Sequence, residues 1–387
     1  MVKLAIYSPN LGAISETFIK RHMEEIAADQ TVVVAGSDEP PHYGHWFVNS
    51  PTYILSNRNS VFLNTRKQLW LTILHTFGLI SRKNLYSHKD LTEFLTQNNV
   101  KVILSEYLDY STTIIDLAKK LGIKLYAHAH GFDVSARLTQ KFWEREYLRL
   151  NKTDGIITMS QYSKNKLIKF GLKKELIHVI PYGINLPPLF NKTNVSKSIK
   201  CIAVGRMVTK KAPLLLLESF RLALEKNDLL TLEFIGAGVL YENAVQYIKD
   251  HKLEDKVKLH GNLPNDIVIN MMKDADIFLQ HSITDPVTGD QEGLPVAILE
   301  AMAHYLPVIS TLHAGIPEAV INNESGLLVN EADTDAMAKA ILKLAENKNL
   351  RTSMGSAGRK IVENKFTWEI EKKSLLNLID KEHYFTQ

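Results

Sequence analysis

Residues 177–205 read IHVIPYGINLPPLFNKTNVSKSIKCIAVG, and this stretch divides the chain into two halves. The apolar strand pattern IHVIPYG is followed by LPPLFNKTNVSKS, which is rich in proline, asparagine, serine and lysine, and a second strand pattern, IKCIAVG, then begins. A polar stretch with prolines between two apolar patterns is typical of a linker. Because 387 residues are too many for one ordinary core, we expect an N-terminal domain over 1–187, a linker over 188–198 and a C-terminal domain over 199–364.

Short apolar segments alternate with amphipathic helical patterns on both sides of the linker, as in parallel α/β folds. The strand candidates are LAIYS, QTVVVAG, VKVILSE, IKLYAHAH, GIITMS and IHVIPYG in the first half, and KCIAVG, LTLEFIG, KVKLHG, DIFLQHS, LPVIST and GLLV in the second. A last helical pattern, over 365–387, is predicted to return to the N-terminal domain. The sequence therefore predicts two Rossmann-like parallel sheets that face each other across a cleft, with ligands beyond the carboxyl ends of the strands.

Composition excludes several functional classes. Apolar residues make up 45% of the chain and charged residues 23%, as in an average soluble protein. The net charge of +4 is small for a protein that contacts many phosphates of a nucleic acid. Because residues 1–8 form a strand pattern and no apolar run has the length of a membrane span, we expect neither secretion nor a membrane span. The single cysteine, Cys201, supports neither a disulfide nor a zinc cluster. We expect a cytoplasmic protein without nucleic-acid partners.

One segment departs from this average charge. From Arg58 to Lys89 there are six lysine or arginine residues and no acidic residue, interleaved with aromatic and aliphatic side chains. Such a surface can lie on anionic lipid, which would place the protein at the inner face of the membrane. Two core helices with solvated basic faces are the alternative.

Residues 289–303 read GDQEGLPVAILEAMA and hold two carboxylates, Glu292 and Glu300, eight residues apart. Pro295 suits the first turn of a helix, because its φ is fixed and it has no N–H to satisfy. Glu292 then lies in the preceding loop and Glu300 inside the helix. The apolar context VAILEAMA predicts that Glu300 is buried. A surface helix preceded by a solvated acid is the alternative.

The start of this helix is suited to a polar or anionic ligand. The amides of Gly293 and Leu294 and the positive end of the helix dipole favour an anion or the hydroxyls of a sugar. Glu300 accepts hydrogen bonds through two oxygens, which suits the vicinal hydroxyls of a ribose.

Three other loops of the second half follow predicted strands. VGRMVTKKAP provides Arg206 and Lys211, two cations that can neutralise a diphosphate, with a solvated pair as the alternative. EFIGAGV provides Gly236 for close backbone approach, although the GxGxxG pattern of dinucleotide sites is incomplete. HGNLP, with Gly261 and Leu263, can present backbone groups to a nucleobase, and a plain turn is the alternative.

Histidines mark the end of a strand in the first half. YAHAHGFDVS provides His128, His130 and Asp133. A histidine there can bond a sugar hydroxyl or a developing charge, whereas zinc would require a third ligand that the sequence does not reveal. A functional role is favoured for His130 and a structural one for His128. Glu106 and Tyr107 follow VKVILS at the same sheet edge and are, with Asp133, candidates for contact with an acceptor.

Together these segments resemble the family 4 retaining glycosyltransferases, which have the two-domain GT-B fold. The resemblance extends over nearly the whole chain and rests on VGRMVTKKAP, IGAG, GDQEGLPVAILEAMA, PVIST followed by AGIPE, ESGLLV, HAHGFDVS, GIITMSQYS and VIPYGIN. ISETFI near the start is similar to transferases of colanic-acid and other exopolysaccharide pathways.

By position, the resemblance implies roles for the charged residues of the second half. Arg206 and Lys211 would bind the diphosphate of the donor, and Glu300 would bind its ribose. Glu292 would lie near the donor sugar, with the backbone of residues 293–295 against the sugar hydroxyls.

The resemblance also implies roles in the first half. His130 would contact the donor sugar and Gly12 would lie at the phosphates; for the loop at Gly12 an ordinary helix cap is the alternative. Three departures from the family pattern are visible. Ala212 replaces the usual glycine after the lysine, Asn185 replaces the usual aspartate after VIPYGI, and the loop at Gly12 lacks the common double glycine.

No metal is expected. Asp274-Ala-Asp276 and Asp333-Thr-Asp335 imitate the DxD that chelates a divalent ion in another class of sugar transferases. The first pair precedes its strand, and Asp333 suits a helix cap. Arg206 and Lys211 would replace the ion, so that no cofactor is required.

We therefore expect a retaining, metal-independent hexosyltransferase of exopolysaccharide or cell-surface glycan synthesis. UDP-glucose is the first choice of donor, ahead of UDP-galactose and GDP-mannose, and the acceptor would be a glycan or a polyprenyl-linked saccharide. Since no second acid accompanies Glu292 in the spacing of double-displacement enzymes, a front-face route is favoured. A non-catalytic sugar-nucleotide-binding subunit and a UDP-sugar epimerase are the alternatives on this fold. A nicotinamide dehydrogenase would need an intact GxGxxG.

Overall fold

The computed structural model of the chain describes residues 1–9, 11–12, 16–36, 46, 48–55, 89–189 and 198–385. Of the predicted lipid-contact segment 58–89, it describes Lys89 alone, and residues 190–197 of the predicted linker also lie outside the described ranges. The chain forms two compact units. The first contains Met1–Ile180 with Glu371–Gln387, and the second contains Pro181–Ile370.

The described part of the first unit contains a sheet of seven parallel strands in the order β3-β2-β1-β4-β5-β6-β7. The strands are β1 Lys3–Ser8, β2 Thr31–Ala35, β3 Thr52–Ile54, β4 Val100–Glu106, β5 Lys124–His128, β6 Gly155–Thr158 and β7 Ile177–Val179. Six of these match the sequence prediction. The edge strand β3 was missed, because three residues are too short to show an alternating pattern.

Helices surround this sheet. They are α1 Thr17–Glu25, α2 Lys89–Gln97, α3 Leu108–Ser111, α4 Ile115–Leu121, α5 Lys141–Leu148 and α6 Gln161–Phe170, with 3₁₀ turns at Ala136–Thr139, Arg149–Lys152 and Lys174–Leu176. Gly122 and Gly171 end α4 and α6 with φ values of 67° and 114°, as the sequence predicts.

The second unit contains, in its described part, a sheet of six parallel strands in the order β10-β9-β8-β11-β12-β13. The strands are β8 Ile199–Val204, β9 Leu230–Ile235, β10 Val257–Leu259, β11 Ile277–Leu279, β12 Val308–Thr311 and β13 Gly326–Val329. All six were predicted. Cys201 is fully buried in β8, where burial raises the pKa of its thiol, so it is a core residue and not a reactive one.

The helices of the second unit begin after a 3₁₀ turn at Thr209–Lys211. They are α7 Pro213–Leu224, α8 Tyr241–Asp250, α9 Asn265–Asp274, α10 Val296–Ala303, α11 Ile316–Ala319, α12 Thr334–Glu346 and α13 Lys348–Lys365. Asp333 caps α12 by accepting a hydrogen bond from the amide of Ala336 at 2.9 Å, as predicted. Among the described residues, no helix combines the length and apolar character that a membrane span requires.

The end of the chain returns to the first unit. The final helix, α14 Trp368–Ile379, starts in the second unit, and Glu371–Gln387 belong to the first. The units divide at 180 and 370, and not at the expected 187 and 365, because Ile184 pairs with the turn before α14. Its amide donates to Phe366 O at 2.9 Å and its carbonyl accepts from the amide of Trp368 at 3.0 Å.

Candidate functional site

The loop after β8 carries Arg206 and is shaped by the loop after β9. The amide of Gly205 donates to Ile235 O at 3.0 Å, and that of Met207 donates to Ala237 O at 2.9 Å. Gly236 has a φ of 132°, and a Cβ atom there would lie 2.0 Å from the carbonyl oxygen of Gly205. Glycine is therefore required for close packing of the two loops. The structure gives Gly236 this supporting role, and direct contact with a donor stays a prediction.

Lys211 and Glu292 meet, although 80 residues separate the loops that carry them. Lys211 Nζ lies 3.3 Å from Glu292 Oε1, and both side chains are largely buried. Glu292 Oε1 makes no hydrogen bond to a described residue, so the contact is an ion pair without hydrogen-bond geometry. Ala212, where the family usually has glycine, has a φ of 39°. The backbone thus keeps the left-handed turn that glycine would favour.

Burial and neighbouring charges act on both members of this pair. Burial lowers the pKa of Lys211, and Glu292 opposes this effect. Lys210 and Arg206 lower the pKa of Lys211 further. Burial would raise the pKa of Glu292, but the charges of Lys211 and Lys210 outweigh it, so that this pKa lies below its ordinary value. Glu292 is therefore ionised at neutral pH, beside the positive charges of Lys211 and Lys210.

Lys210 anchors the loop that carries Glu292. Its ammonium lies 3.0 Å from Asp290 Oδ2 and donates to Gln291 O at 3.1 Å, and its own carbonyl accepts from the amide of Ile283 at 2.9 Å. The side chain is buried. The sequence analysis assigned no role to Lys210, since two adjacent lysines do not reveal which one turns inward.

His313 anchors the same loop from another side. The amide of Glu292 donates to His313 Nε2 at 3.0 Å, which leaves the proton of the neutral ring on Nδ1. Nδ1 lies 2.6 Å from Glu331 Oε1, and the other oxygen of Glu331 accepts from the amide of Thr284. His313 thus links three loops. It follows the predicted strand LPVIST, so the strand-end criterion that identified His130 would have found it too.

We expect a His313→Leu variant to lose about 1–3 kcal/mol of folding free energy, because the buried amide of Glu292 would have no acceptor. Urea or thermal unfolding followed by circular dichroism measures this loss. A Glu331→Gln variant is the matched control: its amide oxygen still accepts from Nδ1, and its loss should be well below half as large. Equal losses in the two variants would contradict the anchoring role.

Helix α10 begins directly after this loop. Pro295 has a φ of −65° and is the residue before the first helical one, with a buried Gly293 and Leu294 ahead of it. Glu300 is only half-buried, so the expectation of a buried Glu300 was wrong. The reason is that Glu300 shares its helix face with Val296, which is also half-buried.

The loop after β10 lies beside the loop after β9. The amide of Gly236 donates to Gly261 O at 2.7 Å, and Asn262 Oδ1 accepts from the amide of Ala237 at 3.1 Å. Gly261 has a φ of 62° with open space where a Cβ would lie, and Leu263 is half-buried. The predicted contacts of Gly261 and Leu263 with a nucleobase stay predictions.

In the first unit, Glu106 is at the centre of a buried histidine cluster. Glu106 Oε1 lies 2.7 Å from His22 Nδ1, and Glu106 Oε2 lies 2.9 Å from His130 Nε2 and 3.1 Å from His128 Nδ1. His22 Nε2 lies 3.1 Å from Glu371 Oε1 in α14. These side chains are at most 4% exposed. The sequence analysis placed Glu106 at the same sheet edge as His130, and the structure adds His22 and Glu371 to this group.

Contact with an acceptor requires an exposed side chain, and two of the three acceptor-side candidates are not exposed. Glu106 and Asp133 are fully buried. Asp133 accepts from the amides of His130 at 2.6 Å and Leu108 at 2.5 Å, which makes it a support for the loop. Burial is the largest influence on the pKa of Asp133 and raises it. Tyr107 is half-buried, and its hydroxyl lies 2.5 Å from Glu16 Oε1. Contact with an acceptor stays a prediction for Tyr107.

Gly12 is buried and has a φ of 112°, in the region that favours glycine. Residues 13–15, which follow it in the predicted phosphate loop, lie outside the described ranges. The role of Gly12 at the phosphates stays a prediction.

The acidic pairs have structural roles at the ends of their helices and strands. Asp276 Oδ2 accepts from the amide of Lys200 at 3.0 Å, and its own amide donates to Lys200 O.

In the described residues, the group of side chains whose ligand atoms come within 4.8 Å of one another is His22, Glu106 and His128. His22 and Glu106 thus provide, beside His128, the further ligand-type side chains that the sequence analysis did not identify.

Comparisons with known proteins agree over nearly the whole chain. A family model described as Glycosyl transferases group 1 matches residues 188–361, and one described as Glycosyltransferase Family 4 matches residues 16–187. The putative colanic acid biosynthesis glycosyltransferase WcaL of Escherichia coli is 30% identical over 322 residues, 81% of this chain and 79% of that protein. The amylovoran biosynthesis glycosyltransferase AmsK of Erwinia amylovora is 33% identical over 256 residues, 65% of this chain but 62% of that protein.

Solved structures show the same fold. Anabaena Alr3699/HepE, crystallised in complex with UDP and glucose, superposes with a TM-score of 0.74 at 17% identity, over 97% of this chain and 99% of that chain. A glycosyltransferase from Rickettsia africae superposes with a TM-score of 0.74 at 17% identity, over 99% of each chain.

Proposed function

Because the chain belongs to the glycosyltransferases of group 1 and family 4, with the GT-B fold, we propose that it transfers a hexose from a nucleoside diphosphate sugar to a hydroxyl of a saccharide or polyprenyl-linked acceptor. UDP-glucose is the leading donor, and the anomeric configuration is retained. The names of the WcaL and AmsK relatives support a place in exopolysaccharide synthesis. The observation that carries the proposal is the buried ion pair between Lys211 and Glu292, with Arg206 close to it.

The two cations act on the leaving group. When the bond between the sugar and the diphosphate breaks, negative charge grows on the phosphate. The Lys211 ammonium is held beside Glu292 before the reaction, so little reorganisation is needed to meet that charge. Arg206 is exposed, and its guanidinium has no ion pair or hydrogen bond with a described residue. It is therefore available as a fork for a second phosphate. This neutralisation requires no metal.

Retention follows from attack on the face that the diphosphate leaves. The acceptor oxygen forms the new bond to the anomeric carbon while the bond to the phosphate oxygen breaks, and the acceptor's proton passes to the leaving phosphate. Glu292 is engaged by Lys211 and stands among several cations, which suits it to orienting a sugar hydroxyl and not to covalent attack. The contact of His130 with the donor sugar stays a prediction of the sequence analysis.

A thermal-shift screen followed by turnover tests the proposal. A ligand at about 100 times its Kd stabilises the folded state by about 2.7 kcal/mol, and we expect UDP and UDP-glucose to raise the melting temperature by several degrees while GDP does not. Release of UDP should then require a saccharide acceptor. Absence of a shift with every nucleoside diphosphate sugar would refute the proposal.

The same assay separates the alternatives on this fold. Tight donor binding without release of UDP under any acceptor would indicate a sugar-nucleotide-binding subunit. Release of a changed sugar nucleotide in the absence of acceptor would indicate an epimerase. Contact of residues 58–89 with the membrane stays a prediction, since these residues lie almost wholly outside the described ranges.

A further inference from the structure

Residues 283–291 form a loop after strand β11, and both ends of this loop contact one residue, Lys210. At the start of the loop, the amide of Ile283 donates to Lys210 O at 2.9 Å. At its end, the Lys210 ammonium lies 3.1 and 3.0 Å from the two carboxylate oxygens of Asp290 and donates to Gln291 O at 3.1 Å. Lys210 therefore connects the beginning and the end of the loop, through its backbone and its side chain.

The inside of the loop is held by hydrogen bonds of its own. The amides of Val287 and Thr288 donate to Asp285 Oδ1, each at 2.9 Å. The amide of Asp285 donates to Asp290 O at 2.9 Å, and its carbonyl accepts from the amide of Gly289 at 2.9 Å. Val287 at the tip is 90% exposed, so the shape of the loop rests on these internal bonds. A displacement of the ends would therefore move the loop as one piece.

Two adjacent lysines meet two acidic residues that lie two positions apart. Lys210 pairs with Asp290 at 3.0 Å, and Lys211 pairs with Glu292 at 3.3 Å. The lysines belong to the 3₁₀ turn Thr209–Lys211, in which successive side chains point about 120° apart, so each lysine reaches a different acid. A shift of the pairing by one partner would leave a largely buried charge without a counter-ion, which is costly. The contacts thus fix one register between the turn and the loop.

The charge of Lys210 also acts on Glu292. Burial would raise the pKa of Glu292, and the charges of Lys211, then Lys210, then His313 lower it. Lys210 therefore affects Glu292 in two ways, through the position of the loop and through its charge. The two ways predict different pH dependences, which allows them to be separated by experiment.

We propose that Lys210 and Asp290 are positioning residues, which hold the loop 283–291 so that Glu292 is placed for a hydroxyl of the donor sugar before any ligand binds. This inference rests on the proposed function. The ammonium of Lys210 is engaged by Asp290 and Gln291, so its part is to hold the loop and not to bind the diphosphate. Such support matters for the rate, because a displacement of about 1 Å can cost about 10²-fold.

Hydrogen exchange of the full-length protein, measured by mass spectrometry, tests the support of the loop without any substrate. In Lys210→Met, peptides that cover 283–292 should exchange about tenfold faster than in the wild type, because the end of the loop is no longer held by the ammonium. Peptides of β8 and β12 should exchange as in the wild type, which shows that the variant is folded. Lys210→Arg keeps the charge and can still donate to Asp290, so its exchange should stay near that of the wild type. Lys226→Met, an exposed lysine of the same unit, is the matched control.

Turnover separates the position of the loop from the charge of Lys210. Lys210→Met and Asp290→Leu should each lower kcat about tenfold or more, while the Kd of UDP, which lacks the sugar, should stay close to that of the wild type. In Lys210→Met the pKa of Glu292 should rise, because one of the charges that lower it is removed, so the acid limb of kcat/KM should move to higher pH. Asp290→Leu keeps the ammonium, so its acid limb should not move to higher pH.

Two results would overturn the inference. Unchanged exchange over 283–292 in Lys210→Met would show that Lys210 does not hold the loop. Faster exchange with a kcat within twofold of the wild type would show that Lys210 holds the loop without any consequence for the reaction. If the exchange is as expected but the wild type turns over no sugar nucleotide, the proposed function fails, and the attachment of the loop to Lys210 stands.

Discussion

A Lys211→Met variant should turn over its sugar nucleotide about a thousandfold more slowly than the wild type. Removal of one preorganised group that meets developing negative charge typically costs about 10²–10³ in kcat, or about 2.7–4 kcal/mol. Lys211 is expected at the upper end of this range, because it is largely buried and its charge is therefore poorly screened by water. Methionine keeps the length and apolar stem of the side chain, so the 3₁₀ turn at Thr209–Lys211 should persist.

The pH dependence of this variant gives a second readout. In the wild type, the charge of Lys211 is the largest of the influences that lower the pKa of Glu292 against its burial. Without that charge the pKa of Glu292 should rise, and the acid limb of the residual activity should move to higher pH. Steady-state release of UDP between pH 4 and 9 measures both effects. Lys226→Met, an exposed lysine of the same unit, is the control.

An activity of Lys211→Met within tenfold of the wild type would contradict the role of this lysine as the principal cation at the leaving group. An unshifted acid limb together with a large loss would contradict only the coupling to Glu292. The two outcomes are distinct, because one concerns the transition state and the other the ground state of the free enzyme.

The architecture was predictable because the chain follows local rules. Buried parallel strands appear as short apolar runs, and helices end at glycines such as Gly122 and Gly171. The exception, β3 Thr52–Ile54, consists of three residues with one buried side chain between an exposed and a half-buried one. Nothing in so short a segment distinguishes a strand from a loop. Its place is determined by pairing with β2, which is a tertiary contact.

The sequence predicted the charged residues that follow the strand ends, but not the contacts that hold their loops in place. Arg206, Lys211 and Glu292 follow strand ends, and the carboxyl edge of a parallel sheet is where ligands bind. Which lysine turns inward to anchor the loop depends on a contact between Lys210 and Asp290, 80 residues apart. Sequence spacing along one element contains no information about such a contact.

The first unit shows the same limit. Glu106 was assigned to an acceptor because it follows a strand, yet the structure buries it among histidines that come from 84 residues before it and up to 24 residues after it. The strand-end rule places a side chain at an edge of the sheet. Whether it points to a ligand or to another side chain depends on the elements that cover the edge, here α1 and α14.

The second large effect is expected for Glu292→Gln, which should lower kcat/KM by about 10²–10³ through two separate losses. The amide is neutral, so it binds a sugar hydroxyl less strongly than a carboxylate does. Lys211 also loses Glu292, the partner whose charge raises its pKa, while its burial and the charges of Lys210 and Arg206 continue to lower that pKa. A fraction of Lys211 should then be neutral in the working pH range.

The sign of the pH effect is therefore opposite to that of Lys211→Met. The active form of Lys211 is the protonated one, so a lower pKa of Lys211 moves the alkaline limb of kcat/KM towards neutral pH. The acid limb no longer reflects the ionisation of Glu292, because glutamine does not titrate. Activity of Glu292→Gln should improve relative to the wild type as the pH is lowered from 9 to 7. Glu324→Gln, an exposed glutamate of the same unit, should keep the wild-type profile.

A double-mutant cycle decides whether the two residues act as one unit. If Glu292 acts mainly by keeping Lys211 charged, the double variant should lose far less than the product of the single losses, because the first substitution already removes what the second would remove. Multiplicative losses would show that the 3.3 Å ion pair is a contact of the resting protein without a shared catalytic role. An alkaline limb in Glu292→Gln identical to that of the wild type would contradict the claim that this carboxylate keeps Lys211 charged.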